Sequence, residues 1–128
     1  MLISGSDFRF KRNEHLKGRK EIQEVFGKGK RYSCQGARLF VIKNNLPYNR
    51  ICFTFSKASK EDRKAWNAVA RNRARRLGRE AYRLTKNRLW SGHDLILLIF
   101  PEPLFSKTRL QDRQKQLESL FLKAGLIK

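Results

Sequence analysis

Apolar and polar positions separate most clearly over residues 68–84. At the 100° spacing of an α-helix, one narrow stripe consists of Ala70, Ala74, Leu77, Ala81 and Leu84. The opposite side is polar and mostly basic, and it contains Arg71, Asn72, Arg75, Arg76, Arg79, Arg83 and Lys86, with Arg73 at the border. This pattern predicts an amphipathic helix that packs on a core through its stripe and presents guanidinium groups to a partner.

Two residues define this helix further. Asn67 has a side chain that is favoured at the N-cap of a helix, so the helix is predicted to begin directly after it. Gly78 lies in the helix interior, where glycine costs about 1 kcal/mol relative to alanine. The glycine therefore predicts close packing against another element at that point.

Three apolar segments predict β-strands. Residues 37–42 and 50–55 are rich in β-branched and aromatic side chains, and the turn between them contains Pro47. Because strands joined by a short connection are usually neighbours, these two are predicted to pair antiparallel. Residues 94–100 are almost continuously apolar, which predicts a central strand that is buried on both faces.

The remaining segments complete the predicted architecture. Residues 19–26 and 108–124 have the periodicity of a first and a last helix. Residues 1–15 are polar and basic without a period, which predicts a flexible arm before a single domain of residues 16–128. The order of helix, strands, helix, strand and helix predicts an α+β sandwich with helices packed against one sheet.

The net charge of +19, from 30 basic and 11 acidic residues, narrows the class of partner. Because this charge repels itself, a polyanion is expected to offset it, with nucleic acid favoured over an anionic membrane surface. Guanidinium groups bind phosphate oxygens in a forked geometry, which also favours nucleic acid. The longest apolar run is too short to span a bilayer, and the first residues lack the apolar core of a secretory signal, so we expect a cytoplasmic protein without a membrane partner.

Residues suited to catalysis are sparse. His93 beside Asp94 is the best candidate for an acid–base pair, but adjacent side chains diverge on a strand and no nucleophile accompanies them. Cys34 and Cys52 are too few for a disulfide framework or a zinc site. The sequence therefore predicts no catalytic residue, no metal ligand and no small-molecule substrate, and it favours a protein that handles RNA without chemistry of its own.

The arginine-rich segment, residues 68–84, resembles the signature of the protein subunit of bacterial ribonuclease P. The resemblance also covers the segments before and after it, namely residues 25–26, 29–31, 50–57 and 92–94. It implies the element order α-β-β-β-α-β-α, which adds a third strand before the arginine-rich helix. It also implies a left-handed β-α-β crossover, whereas general rules favour the right-handed form.

This family binds the catalytic RNA of ribonuclease P and the 5′ leader of precursor tRNA, and it aids the endonucleolytic removal of that leader. The RNA carries out the Mg²⁺-dependent chemistry, so the resemblance implies a non-catalytic subunit with no cofactor bound by the protein alone. The charge by itself leaves an alternative open, which is a general RNA-binding or ribosome-associated protein without a processing role. A nuclease acting on its own is a weaker third reading.

The resemblance assigns two groups of residues. The RNA-binding positions are Lys57, Arg71, Asn72, Arg73, Arg75, Arg76 and Arg79. A cleft between the first helix and the sheet holds the leader, and its positions are Ile22, Phe26 and Phe40. A base can stack on the two phenylalanines, whereas Ile22 can only pack.

The chain departs from the family pattern after Lys57. Ala58 replaces a second lysine that is usual there, and the short link to the arginine signature is lengthened to residues 59–66. The lengthened link contains further basic and aromatic side chains that can compensate for the lost lysine, namely Lys60, Arg63, Lys64 and Trp66. Nothing in the sequence assigns a purpose to it.

Overall fold

A computed structural model describes residues 10–60, 63–101 and 108–128. Within these residues, three α-helices and a four-stranded mixed sheet form one α+β domain. The elements are α1 (Arg19–Lys28), β1 (Lys30–Cys34), β2 (Ala37–Lys43), β3 (Arg50–Phe55), α2 (Ala68–Thr85), β4 (His93–Ile99) and α3 (Leu110–Lys123). The order α-β-β-β-α-β-α, which the resemblance implied, is confirmed.

Strand β1 is the element that the apolar pattern did not predict. Among the described residues it is an edge strand that pairs with β2 alone, and three of its five side chains are exposed. An edge strand with little burial has no need of apolar residues, so its sequence of basic and polar residues gives no strand pattern.

The predicted antiparallel pairing of residues 37–42 with residues 50–55 is wrong. The sheet has the order β1-β2-β4-β3, so β4 lies between β2 and β3. It runs antiparallel to β2 and parallel to β3. The reason is burial, because β4 is the most apolar strand and a central position covers both of its faces. A central strand also has neighbours on both sides that pair with its backbone N–H and C=O groups.

A buried carboxylate fixes the start of the parallel pair. Asp94 lies opposite Arg50 in the register and accepts two hydrogen bonds from its guanidinium, at 2.8 Å from Nε and 2.6 Å from Nη2. Asn44 at the end of β2 donates a third, at 2.8 Å. Three strand ends therefore meet at one side chain. Helix α2 makes the crossover between β3 and β4, and the left-handed sense of that crossover stays a prediction.

Alternate residues of the central strands separate two apolar clusters. Leu39 of β2 and Leu97 of β4 belong to the larger cluster, which includes residues of α2 and α3. Phe40 and Ile96, their neighbours along the chain, belong to a smaller cluster with Val25 of α1. Because side chains alternate across a strand, α2 and α3 cover one face of the sheet and α1 lies on the other.

Helix α2 begins as predicted, with the side chain of Asn67 accepting a hydrogen bond from the Ala70 amide at 3.0 Å. Its buried side is rotated from the predicted stripe, because Ala70, Leu77 and Leu84 are only half-buried. The buried residues are Ala74, Gly78, Ala81, Tyr82 and Thr85. None of the helices in the described ranges is long and apolar enough to cross a membrane.

The predicted arm of residues 1–15 contacts the core at its end. Residues 1–9 lie outside the described residues. The ring of Phe10 stacks on His15 at 4.0 Å and approaches Tyr82 at 5.4 Å. Glu14 forms a buried salt bridge with Lys86 at 2.9 Å. Residues 10–15 are therefore part of the domain and not of a free arm, because their aromatic and acidic side chains have partners that the local sequence does not reveal.

We expect Gly78→Ala to destabilise the protein although alanine favours helices. A Cβ at position 78 would lie 2.9 Å from Phe53 Cδ1, and the ring is buried. Overpacking of this kind typically costs about 1–3 kcal/mol, more than the helix propensity returns. Chemical denaturation measures the free energy of unfolding. The matched control is Gly27→Ala in α1, where nothing lies within 4 Å of the added Cβ and a gain of about 0.5–1 kcal/mol is expected. Equal gains for both variants would contradict the close approach of α2 to β3.

We also expect His15 to make the protein less stable in mild acid. Burial lowers the pKa of His15 below 6.5, and the charges of Arg79 and Lys17 lower it further. The neutral form is thus favoured in the folded state, so this stabilisation is present above about pH 6.5 and is lost as the pH falls below it. His15→Phe keeps an aromatic ring against Phe10 and cannot titrate. Thermal unfolding at about pH 7.5 and about pH 5.5 should show a smaller loss for the variant, and identical losses would count against a lowered pKa.

Candidate nucleic-acid interface

The solvent side of α2 carries a basic surface that we call the arginine face, composed of Arg71, Asn72, Arg73, Arg75, Arg76 and Arg79. All of these side chains are exposed except that of Arg75, which is half-buried. Among the described residues, none of the five arginines takes part in a salt bridge. Their charges are therefore available to an external anion.

Arg83, on the next turn of the same helix, behaves differently. Its guanidinium donates two hydrogen bonds to Glu80, at 3.1 and 2.5 Å. This contact lowers the pKa of the Glu80 carboxyl, so the acid stays ionised and offsets the charge of Arg83. The arginine face thus ends before Arg83.

Neighbouring groups hold two members of the arginine face in place. The guanidinium of Arg75 lies 5.0 Å above the ring of Phe55 and donates a hydrogen bond to Asn72 Oδ1 at 2.9 Å. Arg73 donates to the Thr108 carbonyl at 2.8 Å, which turns this side chain towards the segment that precedes α3. A cation that is already held loses less conformational entropy when it binds an anion.

The seventh predicted RNA-binding residue, Lys57, follows the end of β3. It is exposed and lines a cavity together with Arg71, Asn72 and Arg75. The structure therefore brings four of the seven predicted residues around one cavity. Arg73, Arg76 and Arg79 are not among the residues that line it.

The predicted leader-binding residues lie on the opposite face of the sheet, and we call this surface the α1 cleft. The ring centroids of Phe26 on α1 and Phe40 on β2 are 4.8 Å apart in an edge-to-face arrangement. Phe26 is 39% exposed, whereas Phe40 is only 6% exposed, and Ile22 is half-buried. Phe26 is thus the ring that a ligand can reach, and Phe40 supports it from below.

Strand β3, at the edge of the sheet opposite β1, contacts α2 on one face and the apolar cluster of α1 on the other. Cys52 of β3 packs with the α1 cluster. Burial raises the pKa of its thiol, while the charges of Arg75 and Arg79 act to lower it. The charges of two α2 guanidinium groups therefore act on a residue that packs on the cleft side of the sheet.

Two arginines lie on the same face of the sheet as the α1 cleft and were not identified as candidate site residues from the sequence. Arg31 lies directly opposite Phe40 in the β1–β2 register, so both side chains are on the same face of the sheet. Arg38, two residues before Phe40, places its guanidinium 5.6 Å from the ring of Phe100. The period of two along β2 was the available clue, because Arg38 and Phe40 share a face as soon as the segment is read as a strand.

The histidine–aspartate pair considered in the sequence is not assembled. The Asp94 carboxylate binds Arg50 and Asn44, whereas His93 contributes its backbone amide to Asn49 Oδ1 at 2.8 Å. Within residues 10–60, 63–101 and 108–128, no group of three or more His, Cys, Asp or Glu side chains is placed to hold a metal ion.

These features define a class of protein, a small and strongly basic α+β domain whose crossover helix carries an unpaired arginine surface. The family model for ribonuclease P matches residues 10–125. The chain is 34% identical to the ribonuclease P protein component of Clostridium acetobutylicum over 109 residues, which cover 84% of this chain and 85% of the relative. It is 35% identical to that of Alkaliphilus metalliredigens over 89 residues, or 70% and 75% of the two chains. The chain belongs to the ribonuclease P protein family.

Solved structures agree in fold. The RNase P protein of Staphylococcus aureus superposes with a TM-score of 0.73 over 90% of this chain and 98% of that one, at 21% identity. That of Thermotoga maritima gives a TM-score of 0.72 over 86% and 96% of the two chains, at 22% identity. At these identities the likeness concerns the fold alone, and the architecture is that of bacterial RNase P proteins.

Proposed function

We propose that this chain is the protein subunit of ribonuclease P, which binds the catalytic RNA and the 5′ leader of precursor tRNA and aids removal of the leader. Membership of the family supports the role in tRNA 5′ processing. The observation that supports the binding roles is the pair of exposed surfaces on the two sides of the sheet, which are the unpaired arginines of α2 and the aromatic cleft beside α1.

The arginine face is suited to the catalytic RNA. Guanidinium groups bind the phosphates of a folded RNA through charge and forked hydrogen bonds, without reading the bases. Arg76 and Arg79 are exposed, and their side chains have no hydrogen-bond or ion-pair partner in the part of the chain that the structure describes. They can therefore reach phosphates without first breaking an internal contact.

The α1 cleft is suited to a single strand. Recognition of single-stranded RNA commonly combines stacking of bases on aromatic rings with cations along the backbone path. Phe26 supplies the exposed ring, and Arg31 and Arg38 supply charge on the same face of the sheet. In this proposal the RNA carries the Mg²⁺-dependent cleavage, and the protein contributes binding and positioning.

The direct test is cleavage of precursor tRNA at low magnesium by bacterial ribonuclease P RNA with and without this protein. Phosphate–phosphate repulsion limits the RNA at low magnesium, so a basic subunit is expected to restore cleavage that it cannot perform alone. Protein that binds RNA but leaves cleavage unchanged would instead identify a general RNA-binding protein. Cleavage by the protein without RNA would identify a nuclease.

Within this assay, Arg76→Gln should weaken binding to ribonuclease P RNA on the order of fivefold. The logarithmic salt dependence of binding should also become shallower by about one unit, because one phosphate contact is lost. The matched control is the double variant Glu80→Gln, Arg83→Gln, which alters the same helix and leaves the net charge unchanged. The arginine face would be the wrong surface if the control lost as much affinity as Arg76→Gln.

Leader binding has a separate prediction. Phe26→Leu keeps an apolar side chain on α1 but removes the stacking surface, which is worth about 1–3 kcal/mol per base. The affinity of the holoenzyme for precursor tRNA should therefore fall roughly tenfold, while its affinity for mature tRNA stays constant. Leu122→Ala on α3, another exposed apolar position, serves as the control. Equal losses for precursor and mature tRNA would place Phe26 outside the leader path.

A further inference from the structure

The lengthened link between β3 and α2 borders a cavity that it shares with part of the arginine face. The cavity measures about 590 Å³ and lies between the end of β3 and the first turns of α2. We call it the link cavity, and its basic lining residues are Lys57, Arg63, Arg71 and Arg75. No carboxylate occurs among the described residues that line it. Its size falls within the range of roughly 300–1,000 Å³ that is usual for small-ligand sites.

One wall of the cavity is aromatic. Phe55 and Trp66 pack edge to face with ring centroids 5.6 Å apart, and Trp66 is 4% exposed. The indole N–H of Trp66 is buried and has no acceptor among the described residues. A buried donor without an acceptor is costly, so Trp66 is held in this wall by its packing and not by a hydrogen bond of its indole.

One of the four lining cations, Arg75, is held in place before any ligand arrives. Phe55 supports the guanidinium of Arg75 from below, and Asn72 holds it by a hydrogen bond of 2.9 Å. The first turn of α2 contains no acidic residue, and Ala68 at the start of the helix lines the cavity. The positive end of the helix therefore adds to the four side-chain charges.

The lengthened link itself supplies two of the components. Arg63 contributes one of the four cations, and Trp66 contributes half of the aromatic wall. Ala58, which stands where the family pattern has a second lysine, lines the same cavity with a small apolar side chain. The cavity therefore has a small apolar residue at position 58 and a cation at position 63.

We propose that the link cavity binds one unstacked nucleotide of RNA, with its phosphate held by Lys57, Arg63, Arg71 and Arg75. The base lies against the apolar side of the cavity, which Phe55, Ala58 and Trp66 form. This inference deepens the RNA-binding role proposed above, and it gives Arg63 and Trp66 of the lengthened link a purpose that the sequence left unassigned. An aromatic wall beneath a cluster of cations is the combination that single-stranded nucleic acid requires.

Trp66 provides a direct probe of the cavity. The chain contains two tryptophans, so Trp90→Phe leaves Trp66 as the sole indole. In this background the full-length protein is titrated with a short oligouridylate, with uridine 5′-monophosphate and with inorganic phosphate. The oligouridylate is expected to change the Trp66 fluorescence and to bind more tightly than either small anion, because neighbouring phosphates add contacts along the strand.

Arg63→Gln then tests the contribution of the link. It is expected to weaken oligouridylate binding roughly fivefold and to flatten the logarithmic salt dependence by about 0.7, the value for one phosphate of a single strand. Lys64→Gln is the matched control, because Lys64 is exposed on the same link but does not line the cavity. It should change the affinity by less than about twofold. Thermal unfolding of both variants establishes that they are folded.

Three outcomes would overturn the proposal. These are unchanged Trp66 fluorescence at saturating oligouridylate, equal losses for Arg63→Gln and Lys64→Gln, and a mononucleotide that binds as tightly as the strand. The last would make a free nucleotide the occupant. The titration needs neither ribonuclease P RNA nor precursor tRNA. If the protein binds the oligouridylate through Arg63 but does not support leader cleavage, the cavity site stands and the proposed function is wrong. If it supports leader cleavage but does not bind the oligouridylate through Arg63, the proposed function stands and the cavity site is wrong.

Discussion

The arrangement of this protein depends on the close approach of α2 to the sheet at Gly78. The residues that α2 buries in its first three turns are small, and Gly78 has no side chain to separate the helix from the ring of Phe53. A helix with larger side chains there would stand further from β3. Its charged flank would then lie further from the edge of the sheet and from the ring of Phe55, over which the Arg75 guanidinium lies.

The position of β3 as an edge strand has a second consequence. An exposed edge invites pairing with other chains, and here different segments occupy it along its length. The amide of Leu16 donates to the Ile51 carbonyl at 2.9 Å near the start of the strand, and the charges of Arg75 and Arg79 act on the Cys52 thiol further along. A backbone partner and nearby charge thus both discourage this edge from pairing with another chain.

Much of the fold was predictable because the strongest patterns are local. The amphipathic period of α2, the cap at Asn67 and the apolar run of β4 each follow from a few adjacent residues. The pairing of β3 was not predictable in the same way, since its partner β4 lies some forty residues later in the chain. In that pairing Arg50 is opposite Asp94. The rotation of the buried side of α2 was not predictable either, because a pattern of apolar residues does not include Gly78 or Thr85, which are buried.

In the candidate site, the sequence predicted the types of the residues but not the burial of each one. The exposure of the arginine face followed from the helical period alone, and so did its separation from the core. The pattern could not distinguish Phe26 from Phe40, because both are aromatic and only the packing of α1 leaves one exposed and buries the other. The link is the clearest case. Its sequence is charged throughout residues 60–64, yet Trp66 is buried against Phe55 and Arg63 borders a cavity that only the folded chain creates. Because that cavity requires β3, α2 and the link together, no segment of the sequence contains enough of it to predict its chemistry.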